Sequence, residues 1–237
     1  GIFIGSHKQM SATLTAKIDH FCEEYNAVVF CDCTSGYKGK YSIPFSLIGT
    51  QHNHKFGVEH VDLLIHLGEI SGDYLTVDNL SANHVWRISE DGEIRIKFNT
   101  LDYIFEMSDE NFFGKYIHEG HCIKTHYWEE CAKIYQSLYQ SIQDLPLSLI
   151  YIAHILSPQM PKGCVIHLAI INSLRAWNFF KVDSSIRANC NVGGFGIDGC
   201  TSTLIGASLV NKKKLYFLFT GDLAFFYDLN SLGNRHI

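Results

Sequence analysis

The apolar positions of this chain fall into short continuous runs separated by amphipathic stretches, and that alternation constrains the architecture. Gly1-Ile2-Phe3-Ile4-Gly5 reads as a buried strand, and Ser6-His7-Lys8 turns the chain after it. Over residues 10–25, Met10, Leu14, Ile18, Phe21, Cys22 and Tyr25 recur at spacings of three and four. That is the period of a helix with one apolar face, and Ser11 or Ser6 is placed to cap it. Val28-Val29-Phe30-Cys31 predicts a second buried strand, closed by Ser35-Gly36, and Val61–Leu67 a third, ended at Gly68. Strand, helix and strand in this order, with apolar strands, predict a parallel sheet with crossover helices. His84–Ile88 and Glu93–Phe98 flank Asp91-Gly92, a hairpin signal. Tyr103-Ile104-Phe105 predicts one more strand, and Ser108-Asp109-Glu110 starts a short helix through Phe112, Phe113 and Tyr116.

A second set of elements follows. Residues 126–143 predict a helix with Tyr127, Cys131, Ile134, Leu138 and Ile142 on its apolar side. Pro146 marks the start of the apolar helix 147–156, which Pro158 and Pro161 end. Cys164–Leu168 is a strand leading into a helix over Ser173–Phe180, and Ile186–Cys190 is a short extended stretch. Gly193-Gly194-Phe195-Gly196 is a glycine-rich loop before a helix from about Gly199 to Val210. Leu215–Thr220 is a strand with Gly221-Asp222 at its carboxyl end, and a last helix is expected from Asp228. The fold class is therefore α/β, in two units with mainly parallel sheets flanked by helices. The units cover residues 1–122 and 123–237.

Composition narrows the function classes. The chain has 237 residues, 46% hydrophobic and 18% charged, with a net charge of −5. It can bury a core, and its charge points away from nucleic acid. Lys212-Lys213-Lys214 is the one basic run and reads as a solvated turn before a strand. The eight cysteines sit mostly in apolar runs, where a free thiol behaves as a small hydrophobe, so a reducing, cytoplasmic setting is expected. No apolar stretch reaches the roughly 18 residues that span a bilayer. The chain opens inside an apparent core strand and closes at Asn234-Arg235-His236-Ile237 inside a helical pattern, as a piece of a longer polypeptide would.

Ligands of open α/β sheets bind beyond the carboxyl ends of the strands, and three such ends carry candidate chemistry. At Ile171-Asn172-Ser173 a hydroxyl stands at a helix start, suited to a phosphate or to an ordinary cap. Asn191-Val192-Gly193-Gly194-Phe195-Gly196-Ile197-Asp198-Gly199 lets the backbone approach a ligand, or makes a tight turn, and lacks the dinucleotide spacing. At Gly221-Asp222-Leu223-Ala224 a carboxylate at a strand end is suited to Mg²⁺, which takes one or two carboxylates plus phosphate oxygens and water, or else to capping a helix.

Together these segments resemble the diphosphate-binding domain of thiamine-diphosphate-dependent enzymes, among them the synthase family of menaquinone biosynthesis that joins 2-oxoglutarate to isochorismate. Gly221-Asp222-Leu223 continuing through Tyr227-Asp228-Leu229-Asn230, together with Asn172-Ser173-Leu174 and Gly196-Ile197-Asp198-Gly199, matches that family's motifs in order. Residues 1–122 match its middle domain more loosely, by element order. The resemblance implies thiamine diphosphate and Mg²⁺ as cofactors, with Asp222 as the metal ligand. It puts backbone groups of Leu223 and Ala224 at the diphosphate, Ser173 near it, and Ile197, between Gly196 and Asp198, under the bent cofactor. It implies a 2-oxo acid donor and an acceptor as small-molecule partners, no nucleic acid or membrane, and a homodimer or homotetramer. The family's activating Glu belongs to an N-terminal domain and its last motif Asn follows residue 237, so no catalytic residue is assigned within these residues.

Two departures bear on the substrate. The family's acceptor-binding arginines fall on Val192 and Trp177, with Arg175 on another helical face. Neither residue supplies a bidentate fork, which leaves open a carboligase with another acceptor, or a non-catalytic scaffold of the same fold. His118, His121, Cys122 and His126 match no standard zinc spacing. Cys31 and Cys33 read as a strand-end pair facing opposite sides, and Phe225-Phe226-Tyr227 reads as core.

Overall fold

The computed structural model describes every residue except 52–53, 71, 99, 119–125 and 236–237. Nearly every apolar run becomes a parallel strand. β1 (Ile2–Ile4) leads into α1 (Ala12–Tyr25), where the Ser11 hydroxyl accepts from Leu14 N at 3.0 Å and Asn26 closes the helix in the left-handed region. β2 (Val29–Cys31), β3 (Ser42–Ile43), α2 (Ser46–Gly49), β4 (His60–Leu67), α3 (Tyr74–Val77), β5 (Ser81–Ser89) and β6 (Tyr103–Glu106) follow. All pair in parallel, in the order β3-β2-β1-β4-β5-β6. α4 (Asp109–Tyr116), α5 (His126–Gln140) and α6 (Leu149–Leu156) lead to a second parallel sheet, β8-β7-β9. It is built from β7 (Val165–Leu168), α7 (Asn172–Trp177), β8 (Arg187–Cys190), α8 (Cys200–Val210), β9 (Tyr216–Phe219) and α9 (Asp222–Tyr227). The fold is α/β. The expected division between residues 122 and 123 lies outside the described residues.

Strand alternation sorts the first sheet into two faces. Ile2, Ile4, Val29, Ile65, Leu67 and Ile88 pack with Leu14, Ile18 and Phe21 of α1 and Phe112 and Phe113 of α4. Phe3, Val28, Phe30, Ile43, Leu64 and Val85 point the other way. There they join Cys131 and Tyr135 of α5, and the same cluster continues into Ile166, Leu168, Leu174 and Trp177 of the second sheet. α5 therefore lies against the first sheet: Tyr127 donates to Val58 O at 2.7 Å, and the Trp128 ring meets Tyr41 edge-on at 5.7 Å. Cys31 belongs to the first cluster and Cys33 to the second, because the strand ends between them.

Three expectations are corrected. There is no hairpin at Asp91-Gly92. The turn forms, with Gly92 at φ +66°, but β5 already has β4 on one edge and β6 on the other, so a return strand has no edge to join. Residues 93–98 instead cross the sheet and insert Phe98 (5% exposed) against Phe3 and His66. The last helix starts at Asp222, not Asp228, and a short 3₁₀ turn over Leu229–Gly233 follows. Phe226 and Tyr227 are about two-thirds exposed rather than core, because only Ala224 of α9 is buried.

Between β1 and β4, where the strand order reverses, a doubly wound sheet ordinarily opens a ligand crevice. Here Ser6 N donates to Glu69 O (2.7 Å) and Glu69 N to Ser6 O (2.8 Å), so the strands stay bridged past their ends. Gly5 allows this approach: a Cβ there would stand 2.1 Å from Glu69 O.

One buried carboxylate joins the two sheets. Asp73 (3% exposed) caps α3 by accepting from Leu75 N (3.1 Å), and also accepts from Ser46 Oγ (2.5 Å), Thr76 Oγ1 (3.0 Å) and Asn178 Nδ2 (2.9 Å). Asn178, just past α7, returns its Oδ1 to Cys33 N at 2.9 Å. Asp73→Ala would leave these donors unpaired in the interior, and denaturant unfolding is expected to show a loss of about 3 kcal/mol or more.

His66 sets an acid limit. It is fully buried beside Phe3 and Phe98, its Nε2 faces Arg87 at 3.5 Å, and its Nδ1 has no partner. Burial, and then the Arg87 charge, push its pKa from the ordinary 6.5 down to about 3. The folded state therefore keeps His66 neutral where the unfolded chain protonates. Its contribution is complete above pH 6.5 and is lost as pH falls toward 3, at about 1.4 kcal/mol per pH unit. Unfolding curves from pH 7 to 5 are expected to show this slope, reduced by His66→Gln.

Candidate functional site

The three candidate segments leave neighbouring strands at the same end. In the second sheet Leu168 is level with Cys190 on one side and Phe219 on the other, so the loops after β7, β8 and β9 open side by side. After β7 the chain turns sharply at Ile171, whose φ of +71° and ψ of −104° are rare for a β-branched residue. Such a conformation costs on the order of 1–3 kcal/mol and persists where surrounding structure over-determines it. Here Arg175 N donates to Ile171 O (2.8 Å), Leu174 N to Ala169 O (3.1 Å), and Ile170 and Leu174 are buried on either side. The turn places Asn172 and Ser173 in the first turn of α7, with Ser173 8% exposed.

Ser173 lines a cavity of about 180 Å³ with Ala176 and Trp177 of α7, Leu218–Thr220 at the end of β9, and Leu149 and Ile152 of α6. The structure thus brings Ser173 to the residue that precedes Gly221. Gly221 begins α9 without a side-chain cap. Asp222 is exposed, and its Oδ1 accepts from Leu223 N at 2.8 Å. Leu223 is exposed and Ala224 buried. The first N–H groups of a helix have no intrahelical acceptor, so this corner combines a carboxylate, backbone donors and a hydroxyl-lined hollow.

The glycine-rich loop does not line that cavity. Gly193 and Gly194 stand in open space, Ile197 and Asp198 are exposed, and the hollow at Gly196 is taken by the Asp198 carboxylate. Phe195, at φ +52°, reaches across to the first unit instead, where a Cβ on Gly72 would come within 3.0 Å of its ring. Asn191 Nδ2 donates to Thr203 Oγ1 (3.2 Å) and ties the loop's start to α8.

Two contacts here were not anticipated from sequence. Asp228 follows α9, and its Oδ2 accepts from Ser202 N at 2.6 Å, so a carboxylate sits on the first turn of α8, whose own cap is Gly199. Arg175 donates from Nε to Gly72 O (3.0 Å) and stacks over Tyr74 at 5.0 Å, which places its charge at the junction of the units. Two further positions are those on which the resemblance puts acceptor-binding arginines. Trp177 is 2% exposed and packs on Phe219 at 4.4 Å, and Val192 is half-buried.

The residues set aside behave plainly. His118 pairs with Glu24 (3.1 Å), whose carboxyl is held below its usual range first by the His118 backbone N–H. His126 lies 3.7 Å from Glu129, and His121 and Cys122 lie outside the described residues. Among the described residues no group of three His, Cys, Asp or Glu side chains could hold a metal, and no helix is long and apolar enough to cross a membrane. Burial pushes the Cys31, Cys131 and Cys190 thiols up to about 12. The lysine run is a turn, with Lys213 N bonded to Asn211 Oδ1 (3.1 Å).

Comparison with known proteins places these motifs in context. The 2-succinyl-5-enolpyruvyl-6-hydroxy-3-cyclohexene-1-carboxylate synthase of Phocaeicola vulgatus is 33% identical over 154 residues, which is 64% of this chain and 27% of that protein. Synthases of the same name from Bacteroides fragilis and Christiangramia forsetii are 33% identical over 155 residues and 42% over 79. They cover 64% and 33% of this chain, and 27% and 14% of their own lengths. This chain is a relative of these synthases. It spans about a quarter of the length of the first two, and no family model matches it.

The Asp228 contact is testable. Asp228→Ala removes the carboxylate from the α8 terminus, and thermal and denaturant unfolding are expected to show a loss of about 1 kcal/mol.

Proposed function

We propose that this chain carries the diphosphate- and magnesium-binding part of a thiamine-diphosphate-dependent carboligase of the menaquinone-synthase type. The observation that carries the reading is the meeting of Ser173 with the end of β9, beside Asp222, at one edge of a parallel sheet. In this reading Asp222 ligands Mg²⁺. A single carboxylate suits that ion, which completes its shell from phosphate oxygens and water rather than from a protein cage. The backbone N–H groups of Leu223 and Ala224 and the Ser173 hydroxyl bind the diphosphate. Ile197, exposed between Gly196 and Asp198, supports the bent cofactor. Thiamine diphosphate, when bound, acts as the electron sink for decarboxylation of a 2-oxo acid; the residues here bind and orient it.

The reading extends to the whole protein: a 2-oxo acid donor such as 2-oxoglutarate, a small-molecule acceptor, a homodimer or homotetramer, and a cytoplasmic setting. Exposed apolar side chains on α6 (Leu149, Ile150, Ile152, Ile155) are in keeping with further burial in an assembly. A second reading, a scaffold that kept the fold without the chemistry, is favoured by one observation. Trp177 is locked in the core where the resemblance places an acceptor-binding arginine. An acceptor other than isochorismate fits the same observation.

Calorimetric titration of thiamine diphosphate with Mg²⁺ into the whole protein separates these readings. Magnesium-dependent binding is expected, and Asp222→Ala is expected to abolish the magnesium dependence without unfolding the chain. A folded protein that binds no cofactor at all would leave the scaffold reading.

A further inference from the structure

One face of the second sheet carries a cleft of about 630 Å³. Ile166 and Leu168 of β7 turn toward the core shared with the first sheet, so Val165 and His167 turn the other way. Arg187 and Asn189 of β8 and Tyr216 of β9 line the cleft on that same face. α8 passes over β7 and β9 and forms the roof with Leu204 and Ala207. Both ends of this helix are tied down. Asn191 Nδ2 donates to Thr203 Oγ1 (3.2 Å), and Tyr216 Oη donates to Asn211 O (3.1 Å). The hollow is thus set by the fold.

His167, 3% exposed, lies in the floor. Neither of its ring nitrogens has a hydrogen-bond partner among the described residues, and Nε2 is wholly enclosed. Burial lowers its pKa, so the neutral ring keeps one donor and one acceptor. Buried polar groups are ordinarily satisfied, and an unsatisfied one calls for a partner. The charge on the lining has one sign. Arg187 is exposed and Lys214 half-buried, and neither has an ion pair among the described residues. Among those residues no Asp or Glu lines the cleft. The carboxylates of the flanking loops are engaged elsewhere. Asp183 accepts from Ser185 N and Oγ and faces Lys162 and Lys38. Asp228 accepts from Ser202 N, and Asp198 fills the hollow at Gly196.

The geometry points to a binding site for a small organic acid, its carboxylate or phosphate held by Arg187 and Lys214 and a second polar group bonded to His167. The strand register sets the spacing between the two. Arg187 is level with Val165, two residues before His167, so the two backbone positions stand about 7 Å apart along the strands. Leu204 and Ala207 supply apolar wall for the body of the ligand. The volume lies within the roughly 300–1,000 Å³ of small-molecule pockets. The cleft shares no lining residue with the hollow at Ser173 and does not depend on the roles assigned there.

The probes are p-hydroxyphenylacetate and p-nitrophenyl phosphate, which each carry a polar group at about that distance from an anionic head. They are titrated calorimetrically and separately into the whole protein, without Mg²⁺ or thiamine diphosphate. Binding at one equivalent is expected, and the anion that binds more tightly identifies the head group as carboxylate or phosphate. The uncharged p-hydroxyphenylacetamide is expected to bind about tenfold more weakly or less. Arg187→Met is expected to weaken anion binding about tenfold or more. His167→Phe is expected to remove the preference for p-hydroxyphenylacetate over phenylacetate. Lys212→Met removes the same charge outside the cleft and is expected to leave the affinity unchanged. Circular dichroism checks that the variants fold. The proposal is overturned by absence of saturable binding of either anion, by wild-type affinity in folded Arg187→Met, or by equal weakening in Lys212→Met.

Discussion

The Asp73 carboxylate is the constraint on which the relation of the two sheets depends. Four donors converge on it, from α2, from its own helix α3 and from the residue that closes α7. A buried charge is tolerated only when its lone pairs are filled, so Ser46, Thr76 and Asn178 must occupy definite positions. Asn178 answers with its carbonyl to the Cys33 amide, which ties the same helix end to the tip of β2. The apolar cluster running from Phe3 to Trp177 contributes adhesion without direction. The polar knot supplies the direction.

Given that placement, the second sheet can present a site because its strands are parallel and short. Parallel strands bring their carboxyl ends to one edge, and each following segment there starts a helix or a loop. The sheet supports that edge by burying Ile166 and Leu168 on one face, with Trp177 stacked on Phe219. The strained turn at Ile171 belongs to the same logic: it brings Ser173 back to the mouth of β7 at a cost borne by the packing around Ile170 and Leu174.

Much of this was legible in the residues. The apolar runs of β1, β2, β4, β7 and β9, and the 3.6-residue spacing of α1 and α5, follow from burial on two faces or on one. So do the serine caps at Ser11 and Ser108. The elements that escaped reading are those decided by distant partners. Asp91-Gly92 carries hairpin chemistry, yet both edges of β5 were already occupied. α2 and α3 are too short to show periodicity, and α3 is positioned through Asp73 rather than by its own pattern. Motif order marked Ser173, Gly221 and Asp222 as candidates, and the fold brings Ser173 to the end of β9 beside the other two. The contacts of Arg175 and Asp228 were not legible, because their partners lie 103 and 26 residues away.

The contact of Phe195 with Gly72 has a consequence for how change spreads through the molecule. The glycine-rich loop is loosely held at its own glycines, and its one large side chain is seated against a backbone hollow in the other unit. Gly72 sits immediately before Asp73, and its carbonyl also accepts from Arg175. The loop's shape is thus recorded in a residue more than 120 positions earlier in the chain. An evolutionary substitution at Gly72 would strain its own left-handed backbone, at φ +81°, and would also press on the loop through Phe195, so the two segments are bound to drift together.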